Sequence, residues 1–179
     1  AYILTKLLGF GDIRNIGSGN VGATNVLRTG NKILAFIVLL LDILKGFLPL
    51  IILKTYLPEN TPEITIYSIA SLTIVGHLFP IWLKFKGGKG VATYIGYIFA
   101  TNYIFGLIFI FSWLIIALIK RYSSLASIIS LIILPLAAYA MHYNKSVNLI
   151  LSLISIIIII KHYPNILRLF NKTESKIKF

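Results

Sequence analysis

Three short polar segments hold most of the residues capable of chemistry in this chain. The first is GSGNVGATNVLR, residues 17–28. Ser18, Asn20, Thr24 and Asn25 are small hydrogen-bonding groups among glycines, and Arg28 can hold a phosphate in bidentate fashion. Ile16 stands where a G-x-S-x-G nucleophile elbow would need its first glycine, so that motif is absent. The second is FKGGKGVAT, Phe85 to Thr93. Glycines let successive backbone N–H groups converge on an anion. A helix starting near Val91 adds the partial positive charge of its N-terminus, and Lys86 and Lys89 add full charges. This reads as a phosphate site. It is no Walker loop, since the G-x-x-x-x-G-K-[ST] spacing is missing. The third is KHYPN, Lys161 to Asn165, where His162 can position or deprotonate a hydroxyl and Asn165 follows three residues later. Blander readings stand beside these: a basic turn on anionic headgroups, a loop of helix caps, and an interfacial histidine without a partner.

Other polar residues are scattered. Asp42 and Lys45 lie i, i+3 on a helix beginning near Ile33, where neighbours pair. Nine residues into that helix is roughly 14 Å, close to mid-membrane, where charges are costly and are paired or functional. Both structural pairing and a substrate-linked role fit them. His77, before LFPIW, reads as a packing residue, and His142 has no assigned role. Three scattered histidines, five carboxylates and no cysteine make a poor metal site and exclude thiolate chemistry. No metal or cofactor is expected.

The elements that must position these segments are apolar spans. Of 179 residues, 58% are hydrophobic and only 12% charged, against about a quarter charged in an ordinary soluble domain. With a mean hydropathy of +0.89, the chain reads as a single all-α integral membrane domain over residues 1–179. Apolar stretches run Ile33 to Leu57, Ile64 to Leu83, Val91 to about Ala100, Tyr103 to Ile119, Leu125 to Met141 and Val147 to Ile160. Thr101-Asn102 offers a turn that divides what would otherwise be one overlong helix. The opening AYILTKLLGFGD reads as the last two turns of a further helix, with its natural start expected upstream. That makes a bundle of seven transmembrane helices, the first truncated.

Charge supports seven. Alternating spans place 14 of the 17 basic residues on one face, against Asp12 and Glu174, so that face carries about the whole +12. The positive-inside rule makes it cytoplasmic, with all three polar segments on it. A six-helix reading spoils this asymmetry. A net charge of +12 can attract nucleic acid, anionic lipid or an anionic substrate. Nucleic acid fits poorly, because the charge lies in short loops between membrane spans.

Taken together, GSGNVGATNVLR, DILKG (Asp42 to Gly46), GHLFPIWLKFKGGKGVAT (Gly76 to Thr93), KRYSSLAS (Lys120 to Ser127) and HYPNILRL (His162 to Leu169) resemble the acyl-phosphate-dependent glycerol-3-phosphate acyltransferases of bacteria, the PlsY family. The resemblance runs in order over nearly the whole chain. It implies a seven-helix enzyme of the bacterial inner membrane whose site faces the cytoplasm. It implies acyl transfer from acyl phosphate to the sn-1 hydroxyl of glycerol 3-phosphate in phospholipid synthesis, giving lysophosphatidic acid and phosphate, with no cofactor. By resemblance Ser18, Arg28, Lys89 and His162 are catalytic. Gly19, Asn20, Asn25, Lys86, Gly87, Gly88, Gly90 and Asn165 bind substrate, with the glycines of KGGKG forming the phosphate loop. The partners implied are the two substrates and membrane lipid. This chain departs from the family at the start, where a full helix with a Gly-Ser-x-Pro-like segment normally precedes AYILTKLLG. The main rival class is a small anion transporter, which basic loops and an intramembrane Asp–Lys pair would suit; against it, no internal repeat is visible and the glycine loops lie at one surface.

Overall fold

The computed structural model describes residues 1–17 and 19–177. Its helices are α1 (Tyr2–Leu7), α2 (Ala23–Leu27), α3 (Lys32–Tyr56), α4 (Glu63–Leu78), α5 (Val91–Thr101), α6 (Tyr103–Lys120), α7 (Ser123–Ala140), α8 (Lys145–Lys161) and α9 (Tyr163–Phe170). Each of the seven expected membrane segments is helical, as α1 and α3 to α8. By length and composition α3, α4 with its following turn, α6 and α7 can each cross a bilayer. The pair α8 and α9 makes a fifth such span if counted together, bent by 57°. Their outer faces expose large apolar residues such as Phe36, Leu72, Phe111 and Leu136, which suits lipid contact.

Local chemistry sets the helix ends. Asn31 caps α3 by accepting from the Leu34 amide at 2.9 Å. Asn102 divides α5 from α6 by accepting from the Ile104 amide at 2.9 Å, so the expected turn is real. Asn144 caps α8 through the amides of Ser146 and Val147. The stretch expected to run helical from Ile64 to Leu83 instead stops at Leu78. Pro80 biases Phe79 out of the helical region, and the chain passes into a 3-10 turn at Ile81–Leu83. Two short helices were not foreseen: α2 inside the first polar segment, and α9, which extends what reads in the sequence as a polar tail.

The short helix α5 is the centre of the fold. Thr93, Tyr94, Gly96, Tyr97 and Ile98 are all buried. The Tyr94 hydroxyl lies 3.1 Å from the Leu151 carbonyl and 3.0 Å from Ser155 Oγ, and the Tyr97 hydroxyl donates to the Tyr67 carbonyl at 3.0 Å. Those bonds satisfy polar groups that lipid-like surroundings would otherwise leave unpaired. Helix α3 presents a buried stripe of Leu34, Val38, Asp42, Gly46 and Leu50, one residue every four. A Cβ on Gly46 would fall 1.9 Å from the Thr93 carbonyl oxygen, and one on Gly96 1.9 Å from that of Ile43. The two glycines let the helices cross backbone to backbone, as small residues do in membranes. Lys54 Nζ reaches the Ala100 carbonyl at 3.0 Å, so α5 runs beside the second half of α3. Its N-terminus at Val91 therefore lies level with Asp42 and Lys45, recessed from the start of α3.

Candidate active site

The loop that leads into α5 is folded back onto the end of α4. After the 3-10 turn, Lys84 and Phe85 both take left-handed backbone angles, φ +52° and +62°, and reverse the chain. The Gly87 amide then donates to the Leu78 carbonyl at 3.3 Å and the Gly88 amide to that of His77 at 3.1 Å. These two amides were expected to converge on an anion; they bind α4 instead. A Cβ on Gly87 would lie 2.1 Å from the His77 carbonyl oxygen and 2.4 Å from Pro80 Cδ, and one on Gly88 2.1 Å from His77 Nε2. These glycines are required by close packing. Gly90, at φ +82°, starts α5. The positive end of α5 follows directly after the loop.

The first polar segment is organised from within. Gly17 and Gly19 take φ of +57° and +70°. The Asn25 amide donates to the carbonyls of Ile13 at 3.0 Å and Ile16 at 2.8 Å. Ile13, Val21 and Val26 bury themselves against Leu34, Ala35 and Val38 of α3. Asn25 is thus buried in the loop, tying it together, whereas the sequence reading makes it a substrate ligand. Ser18 lies outside the described residues.

The third segment closes the site. His162 lies between α8 and α9 and is 2% exposed. Its Nδ1–H donates to the Ile158 carbonyl at 2.8 Å, which leaves Nε2 as an acceptor in the neutral ring. Burial pushes the imidazole down to about 4, with the Lys89 charge adding to this and the Ile158 bond and Glu174 opposing it. Asn165, also 2% exposed, donates through Nδ2 to Glu174 Oε1 at 2.7 Å. Its Oδ1 has no hydrogen-bond partner among the described residues.

These segments meet at a cleft of about 300 Å³. Gly19 and Asn20 line it from one side, Gly87, Gly88 and Lys89 from another, and Asn165 from α9. The remaining expected residues stand around it. Gly90 is buried against Leu78, Ile74 and Ile158. His162 is buried beside the cleft. Lys86 is exposed on the loop. Arg28 is exposed and outside the lining, its guanidinium donating to Ser175 Oγ at 2.5 Å. Burial pushes the Lys89 ammonium down to about 8, with Glu174 opposing and Arg168 and Arg28 reinforcing the shift.

Sequence reading misses three charged groups here. Lys161 and Arg168 line the cleft. Glu174 ties two of the lining residues together: it accepts from Asn165 at 2.7 Å and Arg168 at 2.6 Å, and from Ser124 at 2.7 Å. Burial alone would raise the Glu174 carboxyl, but these three bonds outweigh it and hold the group below its ordinary value. The only hint in the sequence was the placing of Glu174 on the basic face.

Residues 1–172 match the family model described as glycerol-3-phosphate acyltransferase. The chain belongs to that family. Relatives of the same description include a Brucella anthropi protein, 46% identical over 175 residues that make up 98% of this chain and 84% of the relative. Another, from Pelagibacter ubique, is 47% identical over 178 residues, 99% of this chain and 89% of the relative. The fold matches crystal structures of PlsY (YgiH), an integral membrane glycerol 3-phosphate acyltransferase. The glycerol 3-phosphate form matches with a TM-score of 0.91 at 39% identity, over 98% of this chain and 86% of that one. The lysophosphatidic acid form matches with a TM-score of 0.88 at 37% identity, over 98% and 86%. As a member of this acyltransferase family, the chain is an enzyme and a multi-pass membrane protein.

Proposed function

We propose that this acyltransferase moves a fatty acyl group from acyl phosphate to the sn-1 hydroxyl of glycerol 3-phosphate, releasing lysophosphatidic acid and phosphate. The cleft supports this reading most directly. It presents three cations, Lys89, Lys161 and Arg168, beside a buried Asn165 carbonyl oxygen that has no partner among the described residues. Phosphate answers the cations, and an alcohol O–H answers the orphaned acceptor. Solved relatives in glycerol 3-phosphate and lysophosphatidic acid forms point to the same acceptor and product.

Acyl phosphate is an activated anhydride, so the enzyme's task is alignment and charge stabilisation. The sn-1 oxygen attacks the acyl carbonyl carbon, the C–O bond to phosphate breaks, and phosphate leaves with the electron pair. Lys89, with Arg28 at the rim, holds phosphate; Ser18 hydrogen-bonds a reacting oxygen; Gly19, Asn20, Lys86 and the KGGKG glycines shape the phosphate site. His162, neutral with Nε2 as acceptor, and Asn165 orient the glycerol hydroxyl. An imidazole pushed down to about 4 is a weak base, which favours the departing phosphate as the final holder of the proton. We further read the chain as a single domain of seven membrane segments in the bacterial inner membrane, with the basic face and the cleft in the cytoplasm.

The decisive experiment mixes labelled glycerol 3-phosphate with palmitoyl phosphate, and separately with palmitoyl-CoA, on purified protein in lipid. Lysophosphatidic acid from acyl phosphate alone is expected. Product from the CoA ester alone would overturn the donor. Product from neither, together with anion flux in vesicles, would favour a transporter.

A further inference from the structure

Behind the phosphate loop lies a polar cluster that the reaction does not use, with Asp42 and His77 buried and Lys45 partly exposed. Asp42, on α3, is 6% exposed. Lys45 Nζ sits 2.5 Å from its Oδ1 and also contacts Nδ1 of His77 at the end of α4. His77 Nδ1 is itself 3.8 Å from Asp42 Oδ1. An ion pair inside a membrane protein is a poor source of stability, because desolvation offsets the attraction. Its geometry is more telling. With the ammonium at Nδ1, the ring's other nitrogen, Nε2, is turned to Gly88, where a Cβ would lie only 2.1 Å away. The His77 carbonyl meanwhile accepts from the Gly88 amide at 3.1 Å. One residue therefore holds Gly88 twice, by its backbone and by its ring. The next residue is Lys89, which lines the cleft.

We propose that His77, with its ring locked by the Asp42–Lys45 pair, is a positioning residue that sets the phosphate loop and so the place of Lys89. A ring free to turn would push Gly88 away from α4 or let it drift; Lys45 at Nδ1 blocks that rotation. The cluster sits level with the recessed N-terminus of α5, so it braces the loop and the helix end together. The kinetic part of this inference rests on glycerol 3-phosphate being the acceptor; the structural part does not.

The test uses the full-length protein in detergent or lipid. Hydrogen–deuterium exchange over residues 86–90 needs no substrate. It is expected to speed up in His77→Ala and in the double variant Asp42→Asn/Lys45→Met, which removes both charges together and leaves neither unpaired. With substrate, both variants are expected to raise KM for glycerol 3-phosphate roughly tenfold or more while kcat falls less than about threefold, since an ångström of misplacement costs up to about 100-fold. A spatial test completes the set. Gly88→Ala is expected to lower the melting temperature, and His77→Ala added to it to recover part of that loss, because the ring is what the new methyl meets. Unchanged exchange at residues 86–90 in both variants, or no recovery in the Gly88→Ala/His77→Ala pair, would overturn the proposal. A wild type that neither binds nor acylates glycerol 3-phosphate would instead remove the substrate reading, with the exchange and recovery results still standing.

Discussion

Residues 17–28 and residues 86–90 both set glycines beside the cleft, and the physical reasons differ most between Gly19 in the first and Gly87 and Gly88 in the second. In the first loop Gly17 and Gly19 occupy left-handed backbone, φ +57° and +70°, and the loop is tied by the Asn25 amide and a small apolar cluster of its own. What glycine supplies at Gly19 is conformation; at Gly17 it supplies space as well, since a Cβ there would lie 2.5 Å from Asn25 Oδ1 and 2.7 Å from Arg28 Cδ. In the second, Gly87 and Gly88 are not among the left-handed residues; what they supply is an absent side chain where α4 presses in. The cations differ too. Arg28 is an exposed guanidinium, whereas Lys89 is a half-buried ammonium with a lowered pKa. Glycine-rich sequence next to a basic residue therefore describes two unlike devices, one formed by its own turn and one moulded on a neighbouring helix.

The largest break in this comparison comes from Gly87→Ala. Its Cβ would meet the His77 carbonyl oxygen at 2.1 Å and Pro80 Cδ at 2.4 Å, and backbone cannot yield as a side-chain tip can. The value of kcat/KM for glycerol 3-phosphate is expected to fall by about 100-fold or more, because the loop must leave its place; steady-state assays over a range of glycerol 3-phosphate concentrations check this. Activity within threefold of wild type would mean that α4 does not mould the loop.

An intermediate effect separates the cations. Lys89, at about 8, carries its charge below pH 8 and loses it above, whereas an ordinary lysine stays charged to about pH 10. The value of kcat/KM for glycerol 3-phosphate is expected to drop as pH rises past 8, by up to about tenfold per unit. Lys89→Arg should remove that limb, since a guanidinium stays charged throughout. A pH–rate profile on both forms decides it, and an identical limb in the variant would assign the titration elsewhere.

The smallest effect sharpens the first loop. Asparagine adopts left-handed backbone more readily than other residues. Gly19→Asn should cost under about 1 kcal/mol, and Gly19→Val about 2 kcal/mol, read by thermal unfolding in detergent. Equal losses would mean that space, not conformation, explains Gly19 as it does Gly87.

Much of this molecule was legible because lipid imposes a simple rule on sequence. Every long apolar run must be a helix, since no water is there to satisfy its backbone. The spans, and the break at Thr101-Asn102, followed from that rule. Charge and topology placed the three polar segments on one face, and the family resemblance named Lys89 and Asn165 among the site residues that the fold brings to one cleft. What escaped notice was made by contacts distant in the chain. Ser124 and Glu174 stand 50 residues apart, and Lys45 and His77 stand 32 apart. No local pattern marks Glu174 as a collector of three donors, and a histidine before LFPIW looks like any packing residue.

By itself, then, the sequence determined the class of molecule and part of its site: an all-helical membrane acyltransferase with basic, glycine-rich loops and a histidine and asparagine near the end of its last long helix. Hydropathy, charge and glycine content are local properties that a chain carries before it folds. Only the tertiary structure decided why each glycine is there, that Asn25 serves the loop, that Lys161 and Arg168 join the cleft, and that Glu174 and His77 brace it. Those roles are set by what lies within a few ångströms, and in a helical bundle the nearest atoms belong to residues far away in the chain.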